Sequence, residues 1–134
     1  MKRLVALLTV SLFFFTSKAQ TMNDLNKRIT ELEDRVAIKN VVDTFSILAD
    51  TKEIDKQVLL FTEDAEVESR TNGQSMVIKG RDQLKQAFSG FLANFHTVYH
   101  QNGQQTISLN GDRAEAVSYC RVILVGKQND KEMK

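Results

Sequence analysis

Asp50 closes a long proline-free stretch of helical periodicity, and a carboxylate there meets the negative end of the helix dipole. An acid kept in so unfavourable a place could take a proton from carbon or hold a water for attack. The bland alternative is a solvated residue that only terminates the helix. Asp55, five residues on, reads as surface. The second group is Tyr99-His100-Gln101, just before Gly103, where a histidine could give or take a proton near neutral pH. Strict strand alternation places His100 with Thr106 and Ser108, opposite the apolar Ile107 and Leu109. A bulge at Gly103 would reset the face, and glycine within a strand often marks one. His96 and His100 are four apart, but a metal pair needs a third ligand, and no carboxylate or cysteine follows at a suggestive spacing. Neither metal nor cofactor is expected. The two phenols, Tyr99 and Tyr119, complete the set of polar groups that could meet a ligand.

These groups need elements to hold them. From Met22 to Ala49 there is no glycine, and Leu25, Ile29, Leu32 and Val36 recur at helical spacing. The apolar stripe then broadens through Ile38, Val41, Val42, Phe45 and Leu48, as for a helix end passing under a sheet. Two heptads over Leu25–Val36 are too few to assert a coiled-coil arm. Asn23 or Asp24 is placed to cap the start, and Thr51 to cap a second helix over Glu53–Leu60. A strand follows from about Val67, with a turn at Asn72-Gly73 and a return strand through Met76-Val77-Ile78. Beyond Gly80, the residues Leu84, Ala87, Phe88, Phe91 and Leu92 mark a third amphipathic helix over Arg81–Leu92. Two long strands, His96–Leu109 and Arg113–Val125, are joined at Asn110-Gly111. On the second, Tyr119 shares a face with Val117 and Ile123, while Ala114, Ala116, Ser118 and Cys120 share the other. Cys120, the only cysteine, reads as a small buried residue and cannot form an internal disulfide.

Composition narrows the partners. Residues 1–19 have a basic start, an apolar run from Leu4 to Phe15 and small residues at Ser17 and Ala19, the pattern of a secretory signal peptide cut after Ala19. The run is too short to span a bilayer, so a secreted or periplasmic protein with no membrane association after cleavage is expected. The remaining chain, residues 20–134, is one domain with fifteen basic and seventeen acidic residues. No basic run with interleaved aromatics is present, and nucleic acid is not an expected partner.

Asp34, Arg35, Ala37 and Ile38, then Asp50, Phe61, Asp64 and Ala65, then Gly80, His100 and Gly111-Asp112 with Ala114 follow one another in a characteristic order. That order, from Leu32 to Val125, resembles the SnoaL-like family of the nuclear-transport-factor-2-like superfamily, whose relatives include ketosteroid isomerase and scytalone dehydratase. The resemblance implies an α+β fold, a cone-shaped curved sheet, mixed or antiparallel, packed on three helices around an apolar cavity. It implies a pocket-facing aspartate at Asp50 and a pocket histidine, as in scytalone dehydratase, at His100. Where the enzymes carry a tyrosine in the first helix, this chain has Phe45, which can pack on a ligand but cannot polarise a carbonyl. Family members continue past the long hairpin into further strands, whereas a polar tail begins here at Gly126, so the last strands are expected to be missing, through a truncated reading frame, which is the favoured reading, a fragment, or an edge covered by a partner. Two functions follow from the resemblance. One is a cofactor-free lyase or isomerase on a small carbonyl compound, with Asp50 and His100 as acid/base residues and Phe45, Tyr99 and Tyr119 against the ligand. The other is a non-catalytic module that holds a small apolar molecule or forms a homodimer through its sheet.

Overall fold

Helical periodicity without glycine or proline from Met22 onward gives the longest element, α1 (Lys2–Asp50). The computed structural model describes the backbone of residues 2–128 and 131–133 and the side chains of residues 21–126. The chain divides into two units, Met1–Ile38 and Lys39–Lys134. In the first, the helix runs through Asn23 and Asp24 without a break, so neither caps a start, and Met22, Leu25, Ile29, Leu32 and Val36 are exposed. The side chains of residues 1–19, the segment expected to be a signal peptide, lie outside the described ones. Among the described residues no helix is long and apolar enough to cross a membrane.

The second unit begins with the end of α1 and continues through α2 (Ile54–Gln57), a 3₁₀ turn (Val58–Leu60), β1 (Glu66–Thr71), β2 (Gln74–Lys79), α3 (Arg81–Leu92), β3 (Phe95–Asn110), β4 (Arg113–Gln128) and β5 (Lys131–Met133). Thr51 does not cap α2. Its hydroxyl donates back to the Ile47 carbonyl at 3.1 Å, and Glu53 takes the capping position without a side-chain bond. The reason is local: Lys52 adopts a left-handed φ of 56°, so Thr51 still belongs to the end of α1.

The sheets are antiparallel, β1 with β2 and β3-β4-β5 in that order. Asn72 and Gly73 both have positive φ, 52° and 78°, as a two-residue type I′ hairpin requires. In the long hairpin Asn110 pairs with Arg113, so the loop is Gly111-Asp112, one residue later than the sequence signal, with Gly111 at φ 58° in the first central position. Within the polar tail, Lys131–Met133 pairs antiparallel with the end of β4. Gly126 is required at the base of the hairpin, because a Cβ there would lie 2.2 Å from the Asn94 carbonyl oxygen.

Ala49, Leu92 and Val98 form the buried core, with Ile54, Phe95 and Leu124 packed against them. Burial of Leu92 and of Val98 contributes roughly 1.5–3 kcal/mol each. Leu84 and Val58 are also buried. Cys120 is exposed, contrary to the sequence expectation, because the distal half of β4 has no described element packed across it.

Candidate functional site

A bulge decides which face of β3 meets the helix. Asn102 pairs with Cys120 but Gln105 pairs with Ser118, so β3 holds one extra residue around Gly103. Up to Asn102 the even-numbered residues Val98, His100 and Asn102 face inward; beyond it the odd-numbered Gln105, Ile107 and Leu109 do. His100 and the apolar residues of the distal strand thereby share one face, the outcome that strict alternation denies.

On that face His100 meets the end of α1. The Asp50 carboxylate accepts the His100 backbone N–H at 3.0 and 3.2 Å, and His100 Nδ1 lies 2.6 Å from Asp50 Oδ1. Their side chains are 24% and 13% exposed. The amide offsets the poor position of a carboxylate at a helix C-terminus, and it comes from β3, an edge strand whose outer N–H groups lack sheet partners. With the carboxylate as acceptor, Nδ1 is the donor nitrogen of the pair, and Nε2 takes no part in it.

A second polar group lies two turns back along α1. Asn102 Nδ2 donates to Asp43 Oδ1 at 2.9 Å, Asn102 Oδ1 accepts from Ser46 Oγ at 3.0 Å, and Lys39 pairs with Asp43. The bond from Lys39, with help from Asn102, holds the Asp43 carboxyl below the usual carboxylate range. Lys39, Asp43, Ser46 and Asp50 fall at three- and four-residue steps, a polar stripe within an apolar helix end that sequence spacing alone could have revealed.

Beside this seam lies a cavity of about 240 Å³ lined by Phe45, Ala49, Gln57, Phe88, Phe91, Leu92, His100, Val122 and Leu124. Phe45 stands edge-on to Phe61 and Phe88, with ring centroids 5.9 Å apart in both pairs. Gln57 is 1% exposed and donates through Nε2 to the Phe45 carbonyl at 3.1 Å. Nothing in its sequence setting, Asp55-Lys56-Gln57-Val58, distinguishes it from a surface helix residue.

The site thus unites Asp50, His100 and Phe45, with His100 and Phe45 in the cavity wall and Asp50 behind His100. It does not gather the two tyrosines. Tyr99 and Tyr119 are 52% and 67% exposed on the opposite face, since Val122 and Leu124, which line the cavity, have the other parity on β4. His96 is exposed, its Nδ1 3.0 Å from Thr97 Oγ1.

Solved structures share this fold. A candidate aromatic ring hydroxylase from Novosphingobium aromaticivorans superposes with a TM-score of 0.66 at 28% identity, over 72% of this chain and 68% of that one. A candidate scytalone dehydratase from the same organism gives 0.56 at 20% identity, over 77% and 80%. An NTF2-like protein with a cystatin-like fold, also from N. aromaticivorans, gives 0.60 at 24%, over 81% and 70%. In sequence, the uncharacterized protein Rv2910c of Mycobacterium tuberculosis is 30% identical over 93 residues, which are 69% of this chain and 61% of that protein. The chain therefore spans less than two thirds of the length of that curated relative. The α+β architecture is that of the NTF2-like structures. The model of the SnoaL-like domain matches residues 30–133, from within α1 to β5, and the chain belongs to the SnoaL-like family.

Proposed function

We propose that the chain is a cofactor-free acid/base catalyst, a lyase or isomerase acting on a small carbonyl compound, with His100 as the proton-transfer residue. The observation that carries this reading is an aspartate-held histidine in the wall of an apolar cavity. Asp50 fixes the Nδ1–H tautomer and steadies the imidazolium once it forms, so it acts through His100 rather than as the base itself. Nε2 takes a proton from the carbon next to the carbonyl, and the electron pair moves to the carbonyl oxygen. When that enolate collapses, the imidazolium returns the proton to a departing hydroxide as water, or to another carbon of the same substrate. The apolar walls strengthen each charge interaction formed during these steps. Phe45 supplies an apolar surface and no proton.

The test combines spectroscopy with kinetics. Nitrogen-15 NMR of the imidazole should show an Nδ1–H, Nε2-unprotonated ring at neutral pH. Cyclic β-hydroxy ketones and β,γ-unsaturated ketones should give conjugated enones, followed by ultraviolet absorbance. His100→Ala should lower that turnover by about 10²–10⁴-fold, the usual worth of a general acid/base. Unchanged turnover, or an Nε2–H ring in the resting protein, would overturn the assignment.

A second reading rests on a different observation. The outer face of β3 and β4 exposes Tyr99, Val117, Tyr119 and Ile123, an apolar patch suited to a homodimer through the sheet. Light scattering should then give twice the chain mass, falling to the single mass in Tyr119→Lys. A monomeric wild type refutes it. Export after removal of residues 1–19 is part of the same proposal, and N-terminal sequencing of the mature protein should begin at Gln20.

A further inference from the structure

Met22, Leu25, Ile29, Leu32 and Val36 recur at alternating three- and four-residue steps, the a and d positions of a heptad. Spacing alone leaves open whether such a stripe is spent on a core. The structure answers that: α1 runs unbroken through all five, and each is between 42% and 63% exposed. The stripe stops at the next d position, Lys39, which is charged and paired with Asp43. Its composition selects one kind of assembly. Ile29 and Val36 are β-branched residues at a, with Leu25 and Leu32 at d, the combination that favours two parallel strands. The flanking charges agree. With Met22 at a, Arg28 and Arg35 fall at g, and Asn26 and Glu33 at e. In a parallel, in-register pair each g residue meets the e residue of the following heptad across the interface. Arg28 then faces Glu33 of the partner subunit, twice by symmetry. An antiparallel pair sets g against g, arginine against arginine. Short helices are costly to start, but this one needs no nucleus of its own, because α1 continues to Ala49 in the buried core.

We propose that residues 22–36 form a parallel two-stranded coiled coil with the same segment of a second copy of this chain. The two copies bury the Met22–Val36 stripe between them, and the Arg28–Glu33 pairs fix direction and register. This surface is separate from the sheet face that exposes Tyr99 and Tyr119, and neither requires the other. About two heptads make a weak contact, so it pairs chains at high concentration and not in dilute solution.

The experiment uses the full chain carrying Tyr119→Lys, so that no sheet contact contributes, in sedimentation equilibrium over a concentration series. Single chains at the dilute end and paired chains at the concentrated end are expected. Glu33→Arg, which sets arginine against arginine, should raise the dissociation constant about tenfold, since two exposed ion pairs are reversed at once. Arg28→Glu added to Glu33→Arg should restore it. Both side chains are exposed, so circular dichroism of these variants at the dilute end should match that of the parent. A second measurement reads direction without relying on affinity. In a Cys120→Ser background, Leu32→Cys should form an interchain disulfide on oxidation, because d residues of a parallel pair face each other. Lys27→Cys, at the outward f position, should not. Single chains at every concentration, or a loss in Glu33→Arg that Arg28→Glu fails to restore, would overturn the proposal. So would Lys27→Cys crosslinking as fast as Leu32→Cys, or Leu32→Cys crosslinking only when mixed with Ile29→Cys. A chain that stays single but co-sediments with phosphatidylglycerol vesicles would give the stripe to a membrane surface and overturn it as well.

Discussion

Asp43 and Asp50 lie two helical turns apart on the same face of α1, and each reaches across to β3. Their surroundings set them to different work. Asp43 is paired with Lys39 and bonded by Asn102, so its charge is neutralised and its lone pairs are engaged in joining helix to strand. Asp50 bonds a backbone amide and an imidazole whose other nitrogen takes no part in that bond, and that imidazole stands in the cavity wall. The same side chain is a clamp at one end of the seam and an orienting group at the other. The residue across the gap makes the difference: an amide side chain that cannot titrate, or a histidine that can.

The largest expected effect separates the two acids in catalysis. Asp50→Asn should lower turnover of an identified substrate by about 10³–10⁴-fold by releasing the wrong histidine tautomer, as loss of an orienting aspartate does elsewhere. Asp43→Asn should stay within a few-fold of wild type. Equal losses would erase the distinction. A smaller effect should appear in stability. Asn102→Ala leaves the buried Ser46 hydroxyl without its cross-element acceptor, with only the Val42 carbonyl at 3.2 Å to turn to. This should lower the urea midpoint by an amount equivalent to about 1–2 kcal/mol, with an unchanged slope. The smallest effect is one of pH. The Asp43 carboxyl is held low by Lys39 and Asn102, and that of Glu68 by Arg70 and Ser75. A carboxyl lowered on folding contributes stability above its unfolded pKa, and that contribution is lost as pH falls through the folded value. Urea titrations from about pH 6 downward, through the ordinary carboxylate range near 4, should therefore show wild type more stable than Asp43→Asn at the upper end. The two should converge in acid. A constant difference across the range would show that Asp43 acts through packing rather than charge.

Much of this fold was legible from short-range chemistry. Helical spacing marked α1 and α3, glycine-containing turns marked both hairpins, and the order of Asp34, Asp50, Phe61, Asp64, Gly80 and His100 indicated the family. Thr51 misled because its hydroxyl can serve either neighbouring helix, and the left-handed Lys52 gave it to α1. Cys120 misled because strand composition reports a face but not whether anything covers it. The tyrosines misled for the same reason: they lie on β3 and β4 beside the site but point the other way.

The sequence by itself determined the elements, their order and the residue types able to move a proton, because helix periodicity, turn preference and side-chain chemistry are properties of a few neighbouring residues. Only the tertiary structure decided which of those residues meet. Asp50 and His100 are fifty positions apart, and their encounter depends on the phase of β3, which one extra residue near Gly103 inverts. Gln57 entered the cavity wall in the same way, since burial and a side-chain bond to the Phe45 carbonyl hold an ordinary helical glutamine there. Register and burial are set by packing between distant segments, and no local pattern carries them.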